Sequence, residues 1–142
     1  MRAVLDANVV VSAFLRPAGP PGEILRHWLE EGSFQVVLSP EILEEIRDAL
    51  FRPHVRQRID RPDEEIERLL IQMELLAESL TDPPEVHVVK SDPDDDKYLA
   101  TALASHADYI VSGDPHLLSI GEWEAIRIVS PREFIQILAP RS

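Results

Sequence analysis

The chain has 142 residues, 44% apolar and 28% charged, with a formal charge of -12 and no cysteine. That length and balance suit one folded domain with a real core. They exclude disulfides, thiolate nucleophiles and cysteine-ligated zinc, and a sequence-independent nucleic-acid coat, which needs a basic surface to displace counterions. No apolar run approaches the roughly 20 residues that span a bilayer. The N-terminus, with an acid already at position 6, lacks the basic-then-apolar order of a secretory signal, so a cytoplasmic location without membrane attachment is expected.

Strand-type and helix-type segments alternate along the chain. The short, mostly β-branched runs 2–5, 34–38, 86–89, 109–112 and 126–129 read as buried parallel strands. Between them, residues 23–31 place Ile24, Leu25, Trp28 and Leu29 on one helical face and stop at Gly32. Ser39-Pro40 starts a helix that runs to Leu50. Residues 64–80 carry Ile66, Leu69, Leu70, Met73 and Leu76 at three- and four-residue spacing, ahead of Pro83-Pro84. Asp92-Pro93 and Ser130-Pro131 give two more starts of the same kind, and Glu133 completes a capping box with Ser130. The five glycines, at 19, 22, 32, 113 and 121, read as turns and caps. Such alternation implies one α/β domain with a largely parallel sheet, over residues 1–142 with a core at about 2–138. Ligands of such sheets bind beyond the carboxyl ends of the strands, where strand order reverses.

Four acids stand out against that frame. Asp6 ends the first strand and Asp114 ends the run of Tyr109, Ile110, Val111 and Ser112. Each also has a plain role as a turn or helix-cap residue. The stripe Ile42, Leu43, Ile46, Ala49 and Leu50 puts Glu45 at the border of a buried face, with Glu41 and Glu44 turned away. In the acidic run from Asp92 to Lys97, Asp92 reads as the N-cap and Asp95 as the third helical residue, which leaves Asp96 on the buried side near Leu99 and Leu103. A charge on a buried face needs a partner, and a metal ion is a suitable one.

Other chemistry is thin. The histidines show no zinc spacing, Ser12 lies in no nucleophile elbow, and no glycine-rich phosphate loop is present. Arg47, Arg52, Arg56, Arg58 and Arg61 form a local basic run opposed only by Asp48 and Asp60. Its plain reading is a solvated helix end and loop. Its functional reading is a phosphate-binding edge beside the acids.

Together, the segments Leu5-Asp6-Ala7-Asn8-Val9, Leu43-Glu44-Glu45-Ile46, Asp92-Pro93-Asp94-Asp95-Asp96-Lys97 and Val111-Ser112-Gly113-Asp114 resemble the PIN domain. The likeness is strongest to the group of toxins in toxin–antitoxin systems related to the VapC toxins. The resemblance implies a Rossmann-like, three-layer fold with a mostly parallel five-stranded sheet of order 3-2-1-4-5. It implies Mg²⁺- or Mn²⁺-dependent endoribonuclease activity, with Asp6, Glu45, Asp96 and Asp114 as acidic metal ligands and catalytic residues. Asn8, Ser112 and Asp92 would support them, and Lys97, Arg52, Arg56 and Arg58 would contact RNA. It also implies a homodimer and a cognate antitoxin partner.

Three rivals share parts of this pattern. A haloacid-dehalogenase-like phosphatase wants Asp-x-Asp where this chain has Asp6-Ala7-Asn8, and a receiver domain wants an acidic pair and a late lysine. A PIN fold used as a binding module, with weak or no catalysis, is the stronger alternative.

Overall fold

The computed structural model describes residues 1–80 and 95–139. The expected strand at 86–89 and the expected cap Asp92 lie outside these described residues. The elements follow in order: β1 (Arg2–Leu5), α1 (Ala7–Leu15), α2 (Pro20–Leu29), β2 (Gln35–Leu38), α3 (Pro40–Phe51), α4 (Pro53–Arg56) and α5 (Asp63–Leu76). Then come β3 (Glu78–Ser79), α6 (Asp96–Ser105), β4 (Tyr109–Val111), α7 (Pro115–Leu118), β5 (Glu122–Trp123), β6 (Ile126–Val129) and α8 (Pro131–Leu138).

The sheet has the order β3-β2-β1-β4-β6-β5, parallel throughout except for the antiparallel β5–β6 pair. Without β5 the order matches the expected 3-2-1-4-5, with Glu78–Ser79 rather than the expected 86–89 in the third place among the described residues. The three-layer α/β class therefore holds, and the sheet has one further short edge strand, β5. The inner strands are buried almost throughout, with Val4, Leu5, Val36, Val37, Ile110 and Val111 fully covered. Helices on both faces account for that burial, as parallel sheets require. Phe134 of α8 meets Phe34 edge-on at 5.0 Å and Tyr109 at 5.6 Å, closing one layer of the core.

Most local signals act as written. Ser39 accepts the Ile42 N–H at 3.2 Å and starts α3, whose residues Ile42, Ile46, Ala49 and Leu50 are buried. Ser130 and Glu133 form the reciprocal capping box of α8. The second helix starts at Pro20, three residues earlier than its apolar spacing indicates, because prolines occupy its first positions. Gly22 is then inside a helix rather than in a turn. A Cβ there would stand 2.0 Å from the Pro17 carbonyl oxygen, so only glycine permits that approach.

The helix expected over 64–80 ends at Leu76 instead. Ala77 turns extended (ψ 149), the Gln35 side chain donates to the Leu76 carbonyl at 3.2 Å, and Glu78–Ser79 pairs with β2. The Leu80 N–H reaches the Leu38 carbonyl at 2.9 Å. An open parallel edge on β2 thus captures backbone that side-chain spacing alone would keep helical.

Candidate functional site

Register places the site. Leu5 pairs with Val111 across β1 and β4, so the next residues, Asp6 and Ser112, leave the sheet side by side. The Asp6 N–H still donates to the Val111 carbonyl at 3.0 Å, and the Ser112 N–H to that of Val129 at 3.0 Å. Both side chains are buried at the carboxyl ends of neighbouring strands, the position where α/β sheets hold ligands.

Ser112 joins the two strand-end acids. Its hydroxyl donates to Asp6 Oδ2 at 2.7 Å and accepts the Asp114 N–H at 3.0 Å. Asp6 also caps α1, accepting the Asn8 N–H on Oδ1 at 3.0 Å. Asp114 caps α7 by accepting the His116 N–H at 2.8 Å. The cap role and the site role therefore coexist at both positions, since a carboxylate has several acceptor directions.

Glu45 reaches the same place from α3. Its two oxygens are engaged separately, Oε1 by the Tyr98 hydroxyl and Oε2 by the Lys97 ammonium. Glu44 is exposed and lines a different crevice with Arg47 and Glu74, in line with the helical wheel. The Tyr98 hydroxyl, which donates to Glu45, also accepts the Ala7 N–H at 3.2 Å. The electrostatics are those of a crowded acidic site. Burial pushes the Asp6 carboxyl up, against the Asn8 N–H and Ser112, and the nearby Glu45 charge adds to the rise. Burial and the charge of Asp6 push the Tyr98 phenol far above its ordinary range, so it remains a hydrogen-bond donor.

Asp96 begins α6 and is 8% exposed, on the buried side as its helical position indicates. Asp95 corrects the reading of this turn. It stands just before α6 rather than third within it, and its side chain makes a hydrogen bond with Asp114 that lowers the Asp114 carboxyl. Beside Asp114 opens a crevice of about 390 Å³ lined by Asn8, Val9, Ser12, Gly113, Pro115 and Pro131.

Two features lay below the reach of sequence reasoning. Asp95 has an adequate first-turn explanation, which hid its contact with Asp114. Tyr98 reads as one more member of an apolar stripe with Leu99 and Ala102. The usable signal was that a buried tyrosine hydroxyl requires a partner. The arginines divide as well. Arg56 is committed to Asp63 at 2.6 Å and to the Ile59 and Arg61 carbonyls, which makes it a structural clasp. Arg52 and Arg58 are exposed and make no ion pair among the described residues.

The donor chemistry fits a hard divalent cation: all candidate ligands are carboxylate oxygens, and a cationic group already stands on Glu45. The acids form two linked pairs, however, Asp6 with Glu45 and Asp95 with Asp114. No group of three or more acids or histidines among the described residues is arranged to hold a metal ion. Nor is any helix among them long and apolar enough to cross a membrane.

Comparison with known proteins agrees with this fold. The chain is 28% identical over 144 residues to the uncharacterized protein MJ1680 of Methanocaldococcus jannaschii, covering 96% of this chain and 90% of that one. Its fold is similar to the crystal structure of PAE2754 from Pyrobaculum aerophilum, with a TM-score of 0.63 at 19% identity over 99% of this chain and 91% of that one. The sequence pattern of the PIN domain matches residues 2–116. PIN domains are generally nucleases and generally use divalent metal ions. With that match covering most of its length, the chain belongs to the PIN domain family.

Proposed function

We propose that this chain is a divalent-metal-dependent endoribonuclease that hydrolyses RNA phosphodiester bonds to 5′-phosphate and 3′-hydroxyl ends. The observation that carries the reading is the Ser112 bridge. It ties the buried Asp6 to Asp114 at adjacent strand ends while Glu45 approaches Asp6 from α3. Asp6, Glu45, Asp96 and Asp114 are the proposed ligands, and Asp95 joins them through its bond to Asp114. Mg²⁺ or Mn²⁺ suits such hard oxygen donors, and when bound it supplies water activation and charge neutralisation at the scissile phosphate. The chain's own residues hold the acids in place: Ser112 orients Asp6 and Tyr98 orients Glu45, while the Lys97 ammonium stands on the other Glu45 oxygen as its counter-ion. Asn8 borders the open crevice. Arg52, Arg58 and a displaced Lys97 supply phosphate contacts.

The same reading makes the chain the toxin of a toxin–antitoxin pair, acting as a homodimer restrained by an antitoxin protein. Growth arrest on expression, relieved by the product of an adjoining gene, is the outcome expected of a toxin. The biochemical test incubates the EDTA-stripped chain with mixed RNAs in Mg²⁺, Mn²⁺ or EDTA, beside Asp6→Asn. Cleavage that needs the metal and the Asp6 carboxylate supports the proposal. Cleavage that persists in EDTA and in the variant sinks it.

One observation favours a second reading, a PIN fold serving as a binding module. The described acids form pairs rather than a three-ligand group. RNA binding without cleavage, at every metal concentration, is the result that reading predicts.

A further inference from the structure

Tyr98 heads the fully buried side chains by volume, at 1% exposure, yet its hydroxyl lies among charged groups. Packing alone would be served by phenylalanine. The hydroxyl oxygen instead collects three elements at one point. It belongs to α6, accepts the N–H of Ala7 at the start of α1, and donates to Glu45 Oε1 from the middle of α3. Ala7 directly follows Asp6, so the same oxygen registers the strand end against Glu45. Without it, Glu45 is a boundary glutamate with three rotatable side-chain bonds and open solvent beside it, since its side chain is 35% exposed. The other oxygen, Oε2, already faces a cation, the Lys97 ammonium. The carboxylate is therefore held by one edge and presents the other to positive charge.

We propose that Tyr98 is a positioning residue whose hydroxyl fixes the Glu45 carboxylate beside Asp6 in the orientation that receives a divalent cation. This rests on the metal-dependent reading above. Groups that orient a ligating side chain through a hydrogen bond contribute about 10- to 100-fold to metal affinity.

The test is calorimetric titration of the EDTA-stripped full chain with MnCl₂, for wild type, Tyr98→Phe, Glu45→Gln and the double variant. Tyr98→Phe keeps the ring and its packing. The expected result is binding weakened at least about tenfold, with a cooperative melt retained, and a double variant no weaker than Glu45→Gln alone. Mn²⁺ binding by Tyr98→Phe equal to that of a binding-competent wild type overturns this inference alone. Additive losses in the double variant overturn it as well. A wild type that binds no Mn²⁺ overturns the metal-dependent reading together with this one.

A second measurement removes dependence on the folding of Tyr98→Phe. The chain has two tyrosines, so in Tyr109→Phe the tyrosine absorbance band belongs to Tyr98. A saturable change in that band on adding Mg²⁺, absent when Glu45→Gln is added, supports the inference. A band that ignores Mg²⁺ while calorimetry shows binding overturns it.

Discussion

Asp6 and Asp114 leave neighbouring parallel strands a few residues apart, both cap helices, and both touch Ser112, yet their surroundings differ. Asp6 is 2% exposed and its carboxyl is pushed up by burial and by Glu45. Asp114 is half-buried beside a crevice, and its carboxyl is pulled down by Asp95 and the His116 N–H. The difference shows that two acids of matching position are held by opposite means. Asp6 is an ion that the fold disfavours and a cation would relieve. Asp114 is an ion that its partners already stabilise. Asp6 is thus the acid whose charge the fold opposes, and Asp114 the more open acid whose charge the fold supports.

The sharpest test of this asymmetry is Asp6→Asn. Cleavage is expected to fall by about 10²- to 10³-fold, measured as turnover in Mn²⁺. In EDTA the variant should melt at or above the wild-type temperature. The sign follows from the raised carboxyl. An acid whose folded value lies above its ordinary 3.8 costs stability once ionised, in full above the folded value and not at all below the ordinary one. The advantage of asparagine is therefore largest at neutral pH and disappears as pH falls through the folded value. A variant that melts below wild type at neutral pH breaks the contrast between the two acids.

Asp114 answers to a different pair of variants. Asparagine caps helices about as well as aspartate, so Asp114→Asn keeps the cap but loses the stabilised charge. It should melt below wild type at neutral pH, with the gap closing as pH falls through the lowered folded value. Turnover should drop about 10²-fold. Asp114→Ala loses the cap as well and should cost about 1 kcal/mol more of stability, read by chemical denaturation. If asparagine and alanine cost the same stability, the cap bond at His116 contributes nothing. Ser112→Ala cuts the link between the two sides. It removes a donor to a buried carboxylate and an acceptor of a backbone N–H, at about 1–3 kcal/mol. Turnover should fall about 10-fold through the loss of an orienting bond.

The asymmetry also marks what a sequence can disclose. The strand ends were legible because short β-branched runs stop at Asp6 and Ser112, and the caps because serine or aspartate precedes proline. Glu45 was separable from Glu44 by helical angle alone, since the difference depends only on the position of one apolar stripe. Asp95 was not legible. Two adjacent acids at a helix start share the same local explanations, and only the tertiary position of Asp114 chooses between their contacts. Tyr98 was hidden for the converse reason: its ring satisfies the apolar pattern, and its partners come from α1 and α3, about 90 and 50 residues away in sequence. The short β3 escaped because Glu78 and Ser79 carry no strand pattern. Their pairing comes from the open edge of β2.

The smallest expected effect concerns the cation already in the site. Lys97 places its ammonium on Glu45 Oε2, on the carboxylate whose charge bears on Asp6. A divalent ion entering beside Asp6 must compete with it there, since one carboxylate edge cannot serve both cations at full strength. The pair is partly open to solvent, which limits its strength to about 1 kcal/mol or less, so its removal is a modest change. Lys97→Met keeps much of the length of the stem and deletes the charge. Mn²⁺ binding by the stripped chain should tighten about two- to fivefold. If Lys97 moves to the substrate once displaced, the KM for RNA should rise while metal affinity improves. Opposite movement of those two quantities identifies Lys97 as a tethered counter-ion of the buried side. Weakened Mn²⁺ binding would mean that Lys97 holds Glu45 in place rather than competing for it.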